Sequence, residues 1–288
     1  MSQISSYVAA TAAAVLLATG APARAAGTAD PAPQPSPTPA AVSDPCTTLL
    51  AVVSRPSITT AACNVKRGDV FLETGYTNTT TSGNGASGLV SYPNAEIRAG
   101  LIGSTLEVDF FAPSASRLTS GGSTFTGTSD AGFGLKLEGG YTAKSVYGAF
   151  ANVTVPTGDA AFTGGISQFA YGINYSYAVT PAFAFATTLG YNQLAGVNAA
   201  GAPARYGTFV PSLIGTLSLP MNTQAFAEVA HYLHAGYGLP PRTFFDAGLQ
   251  HDIGSFVQLD VEYGTNFNAV AGAKSHYVGA GAAFRFGS

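Results

Sequence analysis

Charge is what this sequence has least of. Of its 288 residues 9% are charged, 12 Lys+Arg against 15 Asp+Glu, whereas a soluble globular domain carries about 25%. The hydrophobic fraction, 46%, is ordinary, so the composition argues against an ordinary cytosolic enzyme. The net charge is -3 and no contiguous Lys/Arg patch exists to neutralise a row of phosphates, which excludes nucleic acid as a partner. Long apolar runs are missing too. Beyond residue 25 no apolar stretch reaches the roughly 18 residues that a spanning helix needs, which leaves strands as the only way across a membrane. Cysteine is limited to Cys46 and Cys63. No His or Asp lies at ligand spacing beside them, so neither a metal site nor a cofactor is expected.

The first residues read as an export signal. Val8 to Ala18 is an apolar run too short to span a bilayer, and Ala23-Arg24-Ala25 follows as a small-x-small cleavage site, which assigns residues 1–25 to a signal peptide. No Lys or Arg precedes the run, although a basic stretch belongs there. Residues 26–42 are a Pro/Ala-rich linker with almost nothing to bury. Residues 43–67 follow as a periplasmic segment. Ser43 and Asp44 are cap candidates, Pro45 fits a first turn and Pro56 a stop, predicting a short helix over about 44–54. In an exported chain the lone pair Cys46 and Cys63 most simply forms a disulfide. The segment is expected to be a stapled cap just before the first strand, held against the periplasmic mouth, either as a partial plug or as a helix left loose by the Pro-rich stretch before it.

From Gly68 onward the apolar period is 2. Twelve strands are predicted, at 68–77, 92–101, 104–111, 130–141, 145–155, 168–178, 182–192, 206–218, 223–233, 242–252, 255–264 and 276–286. The clearest has Phe169, Tyr171, Ile173, Tyr175 and Tyr177 alternating with small and polar residues. Connection lengths alternate as well: 14, 18, 12, 13, 8 and 11 residues after the odd strands, 2, 3, 3, 4 and 2 after the even ones. Long outer loops, short periplasmic turns and an even strand number define the expected fold, an all-β, 12-stranded antiparallel transmembrane barrel of outer-membrane type over residues 68–288.

Charge parity tests this. A cation facing lipid at mid-membrane costs roughly 2–4 kcal/mol, and every strand charge lies on the parity opposite the apolar set: Asp69, Glu73, Glu96, Arg98, Glu107, Asp109, Asp130, Lys136, Glu138, Glu228, Arg242, Asp246, Asp252, Asp260, Glu262 and Arg285. These twelve acids and four bases give the lumen a formal charge of -8, which favours cations if the pore is open. In a narrow barrel, inward charges mainly satisfy one another. Glu96, Arg98, Glu107 and Asp109 are expected to form such a cluster, extended by Lys136 and Glu138. On the outward parity, aromatics gather at strand ends as two girdles. Tyr141, Tyr147, Tyr175, Tyr177, Phe284 and Phe286 belong to the periplasmic edge, and Tyr76, Phe133, Phe169, Tyr191, Phe245 and Tyr263 to the outer one.

Short motifs then appear in a telling order: Ile97-Arg98-Ala99-Gly100-Leu101 with Leu106-Glu107-Val108, Asp130 to Lys136 (DAGFGLK), Val155-Pro156-Thr157-Gly158, and Phe245 to Leu249 (FDAGL). With them the chain resembles the outer-membrane transporter family associated with the meta-pathway of phenol degradation. The resemblance implies passage of small, often aromatic or apolar compounds across the bacterial outer membrane. The partners expected of such a barrel are the lipid bilayer and lipopolysaccharide, the outer-membrane barrel assembly machinery and small organic solutes. The chain departs from the usual aromatic terminus, since Gly287 and Ser288 follow Phe286.

Catalysis finds no support in the pattern. A twelve-stranded outer-membrane phospholipase carries a Ser and a His facing lipid. Here His231 and His251 fall on the outward parity, but no Ser shares that face on an adjacent strand near either. The expected function is passive uptake of small organic molecules. The alternative is a closed barrel acting as a surface binding or structural protein. Ala112 to Ser129, with Arg117 its one charge, is a loop able to fold inward or stand outward.

Overall fold

The computed structural model describes residues 43–83, 86–198, 200–267 and 274–287. The signal peptide and linker expected over 1–42 lie outside the described residues. One helical turn, α1 (Leu49–Val52), precedes fifteen strands. They are β1 (Val70–Ser82), β2 (Ser87–Tyr92), β3 (Glu96–Ile102), β4 (Leu106–Phe111), β5 (Ala115–Ser120), β6 (Ser123–Thr128), β7 (Ala131–Tyr141) and β8 (Ser145–Val155). Then come β9 (Gln168–Ala178), β10 (Phe183–Val197), β11 (Pro203–Leu219), β12 (Thr223–Tyr232), β13 (Arg242–Ile253), β14 (Val257–Phe267) and β15 (Lys274–Phe286).

Twelve of them, β1, β3, β4 and β7 to β15, run round a closed antiparallel barrel. Closure is made by β15 on β1, in register from Val70↔Phe286 to Ser82↔Lys274. A closed sheet leaves no edge, so each backbone group in the wall finds a partner without water. Alternation sets the two faces. On β7, Leu135 and Leu137 are 52% and 50% exposed, while Lys136 between them is 2% exposed. With a lipid solvent outside, the exposed set is the apolar one.

Two expected loops are strand instead. β1 runs on to Ser82 and pairs with β2, β2 pairs with β5, and β5 with β6. These three prolong β3, β4 and β7 beyond irregular steps at 93–95, 112–114 and 129–130. The steps stay bonded: Ala112 N–H donates to Ala95 O at 2.9 Å, Ser129 N–H to Ser114 O at 2.9 Å, and Ser114 Oγ to Pro93 O at 2.7 Å. Residues 112–129, expected as a loop, therefore form a hairpin. Its turn is Gly121-Gly122 with φ of 58° and 81°, the two positive values that a tight hairpin turn demands. Ser- and Thr-rich sequence hides such strands, because the paired Leu89, Leu118 and Phe125 are too few to mark an apolar face by alternation.

The other connections keep their asymmetry. One end carries residues 103–105, 142–144, 179–182, 220–222 and 254–256, the other 156–167, 198–202 and 233–241. The connection after β10 is shorter than expected, since β10 and β11 both extend past the membrane-facing part of the wall.

The apolar core is not in the wall. It is gathered on residues 46–65, where Cys46, Leu49, Val52, Val53, Ala62, Cys63 and Val65 are buried with Phe71, Val146 and Ala283. This segment lies inside the barrel at the short-turn end. Arg67 N–H donates to Gly103 O at 2.6 Å and Asn64 Nδ2 to Thr105 O at 3.1 Å. The helix expected over 44–54 shrinks to Leu49–Val52. Its would-be start is consumed by a turn in which Cys46 N–H donates to Asp44 Oδ1 at 2.8 Å. At its other end, the N–H groups of Ser54 and Arg55 go to Glu73 at 3.3 and 3.0 Å, so the helix cannot continue.

Candidate pore and its internal segment

The barrel wall holds the internal segment by two chemically different sides. Along β1, β3, β4 and β7 the contacts are ionic. Arg98 donates through Nη1 to Glu73 Oε1 at 2.5 Å and through Nε to Glu107 Oε1 at 2.8 Å. The same Nη1 donates to Val52 O at 2.7 Å. Val65 N–H donates to Glu107, Lys136 Nζ to Cys63 O at 2.7 Å, and Asn64 N–H to Glu138 at 3.3 Å. Wall charges thus reach main-chain groups of the segment, which is how a buried charge without an ion partner is satisfied.

Along β10 to β14 the carboxylates of Glu228 and Asp260 are joined by neutral hydroxyl and amide groups. Glu228 accepts the N–H of Ile58 at 2.7 Å and both the N–H and hydroxyl of Thr59. Thr59 Oγ1 also lies 2.7 Å from Ser212 Oγ, and Thr60 N–H donates to Thr188 Oγ1 at 3.1 Å. Gln250 Nε2 donates to Arg55 O at 2.6 Å. Among the described residues the one ion pair on this side is Arg55 with Asp260, 3.4 Å apart. The guanidinium lies in a slot left by Gly75 and Gly281, which face each other across β1 and β15. A Cβ on either glycine would collide with it.

Of the residues expected to line the lumen, Glu73, Arg98, Glu107, Asp109, Lys136, Glu138, Glu228, Asp246 and Asp260 are buried, and Glu96, Glu262 and Arg285 are half-buried. Within the expected cluster, Arg98 forms its ion pairs with Glu107 and with Glu73 from outside it, and Glu96 and Asp109 line open space above the segment together with Arg98, Glu107 and Lys136. Asp246 accepts from Tyr277 OH at 3.1 Å, and Arg285 pairs with Asp69 at 2.7 Å near the short-turn end. Arg55, Thr59, Gly75 and Gly281 are the residues that composition and parity did not single out. The available signal was the inward parity of both glycines, which leaves room for an incoming side chain.

Cys46 and Cys63 are bonded, closing a loop of sequence separation 17. Beside this staple, Lys66 Nζ meets Asp44 Oδ2 at 2.7 Å. Burial alone would raise the Asp44 carboxyl. The Lys66 ammonium and the Cys46 N–H outweigh it and hold the group below the usual aspartate range. At the long-loop end Asp130 is likewise held low, since the N–H groups of Gly158 and Gly164 offset the cost of burial. Outward His231 and His251 each meet a threonine hydroxyl, Thr243 and Thr223, at 2.9 Å.

The segment does not fill the lumen. On its long-loop side lies a cavity of about 250 Å³, lined by Glu96, Arg98, Asp109, Phe111, Lys136 and Phe150 among others. On its short-turn side lies one of about 360 Å³ against β8 to β12, lined by Val146, Ala184, Ala186, Ile214 and by Leu50 and Ala61 of the segment.

By sequence, no family model and no curated protein matches the chain. By structure it is similar to an outer membrane channel from Pseudomonas putida F1, with a TM-score of 0.60 at 16% identity over 78% of this chain and 98% of that one. It is also similar to the NanC porin, with a TM-score of 0.52 at 10% identity over 73% and 98%. The fold is that of outer-membrane β-barrels, and these structural neighbours are channels.

Proposed function

We propose that the chain is an outer-membrane channel for passive entry of small organic molecules, aromatic or apolar in character, with residues 43–67 as a periplasmic-side internal plug. The observation that carries this reading is a closed barrel whose plug leaves a cavity of about 250 Å³ above it and about 360 Å³ beside it. The upper cavity is lined largely by charges, the lower by apolar side chains such as Leu50, Ala184, Ala186 and Ile214 mixed with hydroxyls and amides, with Lys144 its one charge. That order suits a solute that must shed water as it descends, because apolar surface gains on leaving water. The family resemblance favours the same solute class. The excess of acids in the lumen favours cations over anions among ions that pass. Nothing in the arrangement of Ser, His and Asp supports catalysis.

Planar-bilayer recording with a reversal-potential measurement, joined to liposome swelling with phenolic and aliphatic solutes, tests the proposal. Small cation-preferring conductance and swelling with phenolic solutes are expected. No conductance and no swelling, before and after deletion of residues 43–66, would replace it with a closed barrel that binds or supports something at the cell surface.

A further inference from the structure

The two cavities meet at one place. Ser57 and Thr60 line both, so the upper space and the lower one are parted only by the stretch 57–60. On the β1 to β7 side no such junction exists among the described residues. There the segment is joined to the wall by Arg98, Glu107, Lys136 and Glu138, and Val65 is fully buried. From this asymmetry, and resting on the channel reading above, we infer that solutes cross the plug at one place only, past Ser57-Thr60 on the side of β8. That wall strand lines both cavities, through Phe150 and Asn152 above and Val146 below. Glu228 and Thr188 are the latch that holds 58–60 to the opposite wall and sets the width of the gap.

The latch chemistry fits a gap that opens. It consists of backbone N–H and hydroxyl groups donating to Glu228 and Thr188, each of which can be exchanged for water as a solute passes. The latch holds one short stretch, 58–60, through one carboxylate and one hydroxyl. On the Arg98 side three charged groups bond main-chain groups at 52, 63 and 65, so opening there must break several charge-assisted bonds together, which keeps that side shut. The wall opposite Thr60 carries small side chains at Ala184 and Ala186, so the passage there can admit a flat ring.

The test uses full-length protein in bilayers and three variants, Thr60→Cys, Ala186→Phe and Ser104→Cys, each checked for heat-modifiable migration. Ser104 bonds Glu138 at 3.0 Å on the sealed side. Modifying Thr60→Cys with a bulky, charged thiol reagent is expected to lower single-channel conductance by roughly half or more. Ala186→Phe should lower it without any reagent, and modified Ser104→Cys should leave it unchanged. Unchanged conductance in fully modified Thr60→Cys together with Ala186→Phe, or a block from Ser104→Cys, overturns the route. In a barrel that conducts nothing, a result that would fail the channel reading alone, two-sided labelling of Thr60→Cys decides the route. In vesicles, an impermeant reagent should reach Thr60→Cys when added on either side, since that residue faces both cavities. Labelling from one side only overturns the inference.

Discussion

Arg98 Nη1 donates to the backbone carbonyl of Val52 at 2.7 Å, and that single bond ties the barrel wall to the turn of helix inside it. The same guanidinium holds Glu73 and Glu107, and both carboxylates also accept N–H groups from the segment. One cation therefore satisfies two wall acids, and the two acids in turn satisfy the plug. Arg98→Met keeps the side chain's length and removes its charge, leaving two buried carboxylates unpaired. The expected loss is about 3–5 kcal/mol, read as a lower temperature for the shift in gel migration, with faster amide exchange at residues 52–65. Unchanged exchange there would mean that the plug is held by packing alone.

Gly281→Val tests the slot for Arg55. The added side chain occupies the guanidinium's place, so the pair with Asp260 is lost while Gln250 still holds Arg55 O. Exposed salt bridges are worth little, but Asp260 has a fully buried side chain, and leaving it alone is costly. The double variant Gly281→Val with Asp260→Asn should therefore recover part of the stability lost by Gly281→Val. Equal melting of the single and double variants would show that Arg55 does not depend on this slot.

Much of the barrel was legible in the sequence because lipid enforces parity. Leu135 and Leu137 outside, with Lys136 inside, is a pattern that composition and spacing carry on their own. The hairpin β5–β6 was not legible, since Leu118 and Phe125 are the only large apolar residues among its Ser, Thr and Gly and one pair makes no period. The plug was legible as a stapled segment at the periplasmic mouth, and its course through the lumen was not. What fixes it there is main-chain N–H of Ile58, Thr59 and Val65 meeting Glu228 and Glu107. Every residue type except proline has an N–H, so the residue code does not announce such contacts. The lumen acids, expected to be satisfied by lumen bases, are partly satisfied by backbone for the same reason.

Asp44 gives the plug a dependence on acid. Its carboxyl titrates below the ordinary range in the folded chain, so the folded state is favoured while the group is ionised. That contribution is complete above the unfolded value of about 3.9 and disappears as pH falls through the lower folded value. The pair is partly exposed, with Lys66 39% accessible, so the effect is small. Amide exchange of residues 44–54 should be flat from neutral pH down to about 4 and rise below it, once corrected for intrinsic exchange. Asp44→Asn should lack this component and exchange faster than wild type at neutral pH. Identical profiles for the two proteins would remove Asp44 from the account.

The disulfide makes the most direct claim about the plug. Cys46 and Cys63 enclose the helical turn and the stretch 57–60 that parts the two cavities. A bond closing a loop of this size is worth about 3 kcal/mol in the chain-entropy model, and the whole of it acts on the segment, because neither cysteine belongs to a strand. The Cys46→Ser, Cys63→Ser double variant should therefore keep the barrel's β-rich circular dichroism and its heat-modifiable migration. What should change is the interior. Residues 43–67 should become open to protease from the short-turn end, and conductance should rise in amplitude and noise as the plug samples displaced positions. Mass spectrometry of the unreduced wild type should find no alkylation at either thiol. If the double variant resists protease as the wild type does, the hydrogen bonds from Arg98, Lys136 and Glu228 suffice to hold the plug.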